Sequence, residues 1–223
     1  RVEIGGLSLN EQGRGLYERL GVAFEFPAFY SKLTARENLH FFASLYRRET
    51  ESVDELLSDL GLGADKDKRL SAFSKGMKTR LNPCRALLPK PELLVLDEPT
   101  SGLDPANAAL VKTLILKKRE EGVTVLLTTH DMHVADELCD RVALMADGRF
   151  CALDSPGALK RSLGSATVVL EFEDEVQRFP LAGVAKEEGF LRGLERPDLL
   201  RVRTEEPTLE TVFLELTGRG LAE

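Results

Sequence analysis

Four consecutive apolar residues, Leu93-Leu94-Val95-Leu96, run straight into Asp97-Glu98-Pro99. An unbroken apolar run of strand length is what a parallel strand buried on both faces requires, and it points to an α/β fold. A second run, Val123 to Leu127, follows one helix-length segment. That segment has its ends written chemically: Asp104 as cap, Pro105 at the first helical position, Gly122 near the far end. Strand, helix, strand is a right-handed crossover unit. Upstream, Gly21 to Phe24 reads as a brief buried strand with Glu25 at its end. Between Leu33 and Leu88 the apolar spacing is helical, with Thr34 capping Ala35 to Tyr46, and Gly61 and Gly63 stopping the segment Val53 to Leu60.

Past the second run, a helix from Met132 to Cys139 precedes a strand from Val142 to Met145, and Asp147-Gly148 turns the chain into Arg149 to Leu153. Ser155-Pro156 then starts a helix ended by Gly164, Thr167 to Phe172 alternates like a half-exposed strand, and Leu199 to Val202 is a further strand candidate. A last helix runs from Thr208 to Thr217, stopped by Gly218. The predicted organisation is a core over residues 1–153, with a helical insert at about 33–90, and a small α+β extension over 154–223.

Composition limits the partners. A net charge of −7 and a pI near 5.2 give no global electrostatic reason to expect nucleic-acid binding. No apolar stretch approaches the roughly 18 residues of a spanning helix, so membrane contact is expected through a protein partner. Cys84, Cys139 and Cys151 show no C-x-x-C spacing, which suggests neither a disulfide framework nor a zinc site and fits a reducing compartment.

Carboxylates at the carboxyl end of a central parallel strand sit where open α/β sheets bind ligands. A hard cation that keeps most of its waters needs only one or two carboxylates, and hydrolysis needs a base beside the attacking water. Asp97 is accordingly expected to face a magnesium ion and Glu98 a water. Ser74 and Gly76 open a helix, where free N–H groups and the positive end of the dipole make an anion site. His130, just past the second apolar run, is placed to donate to a phosphate oxygen. His133, three residues on, shares a helix face with it, but no third ligand of suitable type is near in sequence, so a zinc pair is not expected.

The string LLVLDEPTSGLDP at 93–105 resembles the Walker B motif and D-loop of ATP-binding cassette (ABC) proteins. LSAFSKGM at 70–77 resembles the family's signature motif, and TTH at 128–130 its H-loop. GVAFEFPAFYSKLTARENL at 21–39 resembles its Q-loop. The motifs follow one another in the family's order. The resemblance implies a P-loop NTPase core with a helical subdomain, ATP and Mg2+ as ligands, Glu98 and His130 as catalytic residues, and Asp97 on the metal. It assigns Ser74, Lys75, Gly76 and Met77 to a nucleotide held by the opposite subunit of a head-to-tail pair of cassettes, a homodimer in the simplest case. Asp104 is grouped with them as a residue that positions groups across the dimer, beside its local role as helix cap. Glu25 stands where the family usually has glutamine; similar sequences among bacitracin- and fluoroquinolone-type exporters also carry Glu, and a carboxylate ligates magnesium at least as well as an amide oxygen.

Two departures stand out. Pro83 lies inside the helix that begins after Ser74, where a missing donor costs about 3 kcal/mol and predicts a kink. The larger departure is that no G-x-x-x-x-G-K-S/T phosphate loop occurs in the 223 residues. Because Val2 to Gly6 resembles the segment after the family's first helix, and the chain opens on Arg1, a few dozen N-terminal residues are expected to be missing and the chain alone to be inactive. ALDSPGALK at 152–160 and PTLETVFLELTGR at 207–219 resemble the C-terminal extension of bacterial exporter subunits. The expected role is therefore ATP-driven export through a membrane permease, at the cytoplasmic face of the membrane. The alternatives are a soluble ABC protein without a permease and an ATP-inactive regulatory cassette.

Overall fold

The computed structural model describes residues 3–8, 13–26, 28–163 and 166–217. By its internal contacts the chain divides into two units, Arg1–His130 and Asp131–Glu223. In the first, β1 (Glu3–Ile4) and β2 (Leu7–Ser8) form an antiparallel ribbon turned by Gly5 and Gly6, both with positive φ. A 3-10 helix, Gly13–Glu18, leads to β3 (Leu20–Ala23). Three helices follow: α1 (Ala35–Ala43), α2 (Val53–Asp59) and α3 (Lys75–Leu87). Then come β4 (Leu93–Asp97), α4 (Pro105–Glu120) and β5 (Thr124–Thr128). The three strands make one parallel sheet in the order β3-β4-β5.

The helices start where side chains satisfy first-turn donors. Thr34 and Glu37 form a reciprocal capping box on α1, Ser52 accepts from Glu55 N, Ser74 from Met77 N and Asp104 from Asn107 N. Gly122, at φ 91°, ends the crossover of α4. Helix α3 continues through Pro83 from Lys75 to Leu87, with Leu81, Asn82, Pro83, Cys84, Ala86 and Leu87 all buried. That packing offsets the missing donor.

The parallel register Gly21↔Leu94 and Ala23↔Leu96 puts those four residues on one face. There Leu94 and Leu96 are fully buried. A Cβ on Gly21 would fall 2.2 Å from Ala86 O, so α3 approaches β3 as closely as a glycine permits. The other face differs from the expectation of burial on both sides. Leu93 and Val95 are only partly buried, and Leu126 is 55% exposed. Among the described residues this second face is incompletely covered, and Asp97 and Thr128 stand at its carboxyl end.

The second unit begins with α5 (Met132–Leu138), capped by Asp131. A hairpin of β6 (Val142–Ala146) and β7 (Arg149–Asp154) turns at Asp147 and Gly148, both with positive φ. After α6 (Pro156–Leu163), an antiparallel sheet in the order β10-β8-β9 is built from β8 (Thr167–Phe172), β9 (Val176–Pro180) and β10 (Leu199–Glu205). Helix α7 (Glu188–Leu194) lies between β9 and β10 in sequence, and α8 (Leu209–Thr217) comes last. The sequence pattern missed β9 and α7; the expected stops at Gly164 and Gly218 lie outside the described residues.

The compact units meet at 130/131, whereas the sequence places the boundary at 153/154. The reason lies in β6: its strand partner is β7, and its buried Val142 and Leu144 pack with Ala135, Leu159, Leu209 and Val212. The hairpin therefore shares a core with α5, α6 and α8. Among the described residues no helix is long and apolar enough to cross a membrane.

Candidate functional site

The chemistry gathers where β4 and β5 end side by side. Asp97 pairs in register with Thr128, and the Thr128 hydroxyl donates to Asp97 Oδ1 at 2.5 Å. The next residue, Glu98, has φ 48°, a left-handed conformation uncommon outside glycine. Its N–H donates to Thr128 O at 2.9 Å. The side chain lies at the residues that follow β5: Oε1 accepts from His130 N at 2.8 Å and lies 2.7 Å from His130 Nδ1, while Thr129 Oγ1 donates to Oε2 at 3.2 Å. The Glu98 side chain is 18% exposed and that of His130 82%. A sheltered carboxylate is thus held by Thr129 and His130, with an exposed imidazole beside it, while Thr128 holds Asp97 and the Glu98 backbone.

The loop after Glu98 turns tightly: Ser101 N donates to Glu98 O, Leu103 N to Thr100 O, and Gly102 has φ 70°. Asp104 then caps α4. Its carboxylate accepts from Asn107 N at 3.0 Å and Asn107 Nδ2 at 2.5 Å, and the backbone bond to Asn107 is the main cause of a pKa below the usual carboxylate range. Within this chain both Asp104 oxygens serve its own helix.

The start of α3 lies against this loop. A Cβ on Gly76 would meet Leu103 Cδ2 at 3.5 Å, and one on Gly102 would meet Lys75 Nζ at 3.7 Å. Ser74 Oγ is engaged by Met77 N at 3.2 Å. Ser74 therefore caps, and Lys75, Gly76 and Met77 begin, a 13-residue helix beside Gly102 and Leu103.

Glu25 is exposed at the bend after β3 and makes no hydrogen bond or ion pair among the described residues. Its neighbours are anchored instead. Asn82 Nδ2 donates to Phe24 O at 2.6 Å and Arg85 to Ala28 O at 3.0 Å, with the Arg85 guanidinium over the rings of Phe29 and Phe42. Fully buried Asn38 holds Tyr30 N and O and Thr34 O. Sequence reasoning missed Asn38, Asn82, Arg85, Thr128 and Thr129. Only the last two carried a signal, as hydroxyls clustered at the end of an apolar strand.

The donor set fits a magnesium ion: Asp97 is a carboxylate at a strand's carboxyl end, with Oδ2 not engaged by Thr128, and such an ion needs few protein ligands.

A parallel sheet joined by helical crossovers, with adjacent acid and base-like carboxylates at its carboxyl end and a helix start against the following loop, defines an α/β nucleotide-hydrolase core. Comparison narrows the class. The ABC transporter family matches residues 1–101. Over 216 residues the chain is 46% identical to the fluoroquinolones export ATP-binding protein of Mycobacterium tuberculosis (strain ATCC 25618 / H37Rv), covering 95% of this chain and 72% of that one. It is 30% identical over 244 residues to the bacitracin transport ATP-binding protein BcrA of Bacillus licheniformis, covering 99% and 80%. A solved ATP-binding subunit of an ABC transporter superposes with a TM-score of 0.64 at 27% identity, covering 73% of this chain and 69% of that one. The cbiO1 protein of Clostridium perfringens, part of the ABC transporter complex cbiONQ, gives 0.60 at 26%, covering 74% and 69%. The chain belongs to the ATP-binding subunits of ABC transporters, a family of ATPases, and its fold is the P-loop NTPase fold of that family.

Proposed function

We propose that this chain couples ATP binding and hydrolysis to export through a membrane permease, at the cytoplasmic face of the membrane, and that Glu98 is its general base. The observation that carries the reading is the Glu98 carboxylate, held at the carboxyl end of the sheet by Thr129 and His130. The name of its relative, the fluoroquinolones export ATP-binding protein, supports the direction of transport.

In this mechanism Glu98 accepts the proton of the attacking water on a carboxylate oxygen. His130, tied to Glu98 through Nδ1, directs Nε2 to the open side, where in its imidazolium form it donates to developing charge on a phosphate oxygen. Asp97 would hold magnesium, with Glu25 as a second candidate ligand, and the ion would neutralise phosphate charge. Ser74, Lys75, Gly76 and Met77 present a helix start to the nucleotide of a second cassette in a head-to-tail pair. Asp104 orders the loop between these groups.

The test is made in the complete protein with its permease. Glu98→Gln should cut turnover at least a hundredfold while ATP binding persists, because only the base is lost. His130→Ala should slow turnover by a smaller factor. Turnover of Glu98→Gln within threefold of the parent removes Glu98 from this role.

A further inference from the structure

We propose that Thr129 is a positioning residue for Glu98, setting which carboxylate oxygen faces the water. The inference rests on the reading of Glu98 as general base. The parallel pairing of β4 with β5 ends at Asp97↔Thr128, so the next residues of both strands leave the sheet together. Glu98 does so at φ 48°, and the hydroxyl of Thr129 reaches Glu98 Oε2 at 3.2 Å.

The donors on the two oxygens are unequal. Oε1 has two, His130 N at 2.8 Å and the imidazole Nδ1 at 2.7 Å, whereas Oε2 has the Thr129 hydroxyl alone among the described residues. Loss of the imidazole still leaves a backbone donor on Oε1. Loss of the Thr129 hydroxyl leaves Oε2 without a protein donor among the described residues: the carboxylate stays tied to His130 through Oε1, but its second oxygen loses the bond that fixes its direction. A base must lie within hydrogen-bond reach of the proton it abstracts, and small misplacements lower the rate of the chemical step more than ground-state binding. A residue acting this way changes kcat and leaves KM for ATP nearly untouched.

The experiment measures steady-state ATPase activity of the full-length protein assembled with its permease, for the parent, Thr129→Val, Thr129→Ala, Thr129→Ser and Glu98→Gln, with thermal melting of each. Valine keeps the β-branched shape and removes the hydroxyl; alanine serves if valine melts early. The expected result is a kcat about tenfold lower for Thr129→Val or Thr129→Ala, KM for ATP within twofold, and Thr129→Ser within threefold of the parent in kcat. A hydroxyl-free variant that folds and keeps its kcat within twofold of the parent, while Glu98→Gln is inactive, overturns the positioning role and leaves the base assignment standing. A change in KM at constant kcat overturns it equally, as does a serine variant as slow as valine. Glu98→Gln turning over within threefold of the parent overturns the base assignment, and the positioning role with it.

Discussion

Cys84 and Cys151 are the same residue in opposite settings. The Cys84 thiol is enclosed in α3 and bonded to Leu56 O at 3.4 Å, and burial pushes its pKa far above the ordinary thiol value. Cys151 is exposed on β7. Since the thiolate is the reactive species, a disulfide reagent at pH 8 should modify Cys151 promptly and Cys84 only as the protein unfolds. Modification of Cys84 at the rate of an unfolded peptide would refute its enclosure. Asn38 is buried for a different reason: its amide satisfies three backbone groups between Tyr30 and Thr34. Asn38→Ala would leave Tyr30 N without its acceptor, while Tyr30 O keeps Leu33 N and Thr34 O keeps the backbone N–H at position 38, an expected loss of about 2 kcal/mol, read from urea denaturation of the complete protein.

At the scale of elements, α3 does several jobs at once. Its first turn carries Ser74 and Gly76, its last turns bind the Phe24 and Ala28 carbonyls through Asn82 and Arg85, and its flank touches β3 at Gly21. Backbone contact at 2.2 Å from an added Cβ cannot be relieved by a rotamer change. Gly21→Ala should therefore push helix from strand and destabilise the first unit by about 1–3 kcal/mol, seen as a lower denaturation midpoint. Gly122→Ala, where the new Cβ would meet no described residue beyond its chain neighbours within 4 Å, should cost only the strain of its positive φ, about 1 kcal/mol. Equal losses at the two sites would contradict the close approach of α3.

At the scale of the molecule, the first unit leaves Phe26 78% and Tyr30 52% exposed, while Phe29 packs against Phe42 under Arg85. Nearby in sequence to these aromatics, a cavity of about 600 Å³ is lined by Gly15, Tyr17, Glu18, Leu45, Tyr46 and Arg47. Exposed aromatic anchors suit a protein partner, here the proposed permease. Phe26→Glu and Tyr30→Glu should each weaken assembly with the permease at least tenfold in a pull-down titration, with the melting temperature unchanged for Phe26→Glu and lowered for Tyr30→Glu, whose ring also packs on Phe41 and Phe42; an intact complex would argue against this docking site. A polypeptide of these 223 residues holds Glu98, Asp97 and His130 but no G-x-x-x-x-G-K-S/T loop. Calorimetry with ATP and magnesium should thus find no submicromolar affinity, because carboxylates without an N–H cradle repel phosphates. Tight binding would reveal a phosphate site elsewhere in the chain.

The sequence alone determined what depends on near neighbours. Thr34, Ser74 and Asp104 each declare a helix start through a bond to a residue three positions on, and the apolar run before Asp97 declares a strand and its end. These signals are local, so they survive without knowledge of the rest of the chain. Tertiary structure decided what depends on register and packing. Residues 31 and 32 positions apart bring Thr128, Thr129 and His130 to the two carboxylates. The hairpin β6–β7 joins the second unit because Val142 and Leu144 find their apolar neighbours there. Nothing in the apolar pattern of β3, β4 or β5 states which residues stand opposite one another. Strand pairing and the burial of side chains against α3 fix that register, and with it the positions of Asp97 and Glu98.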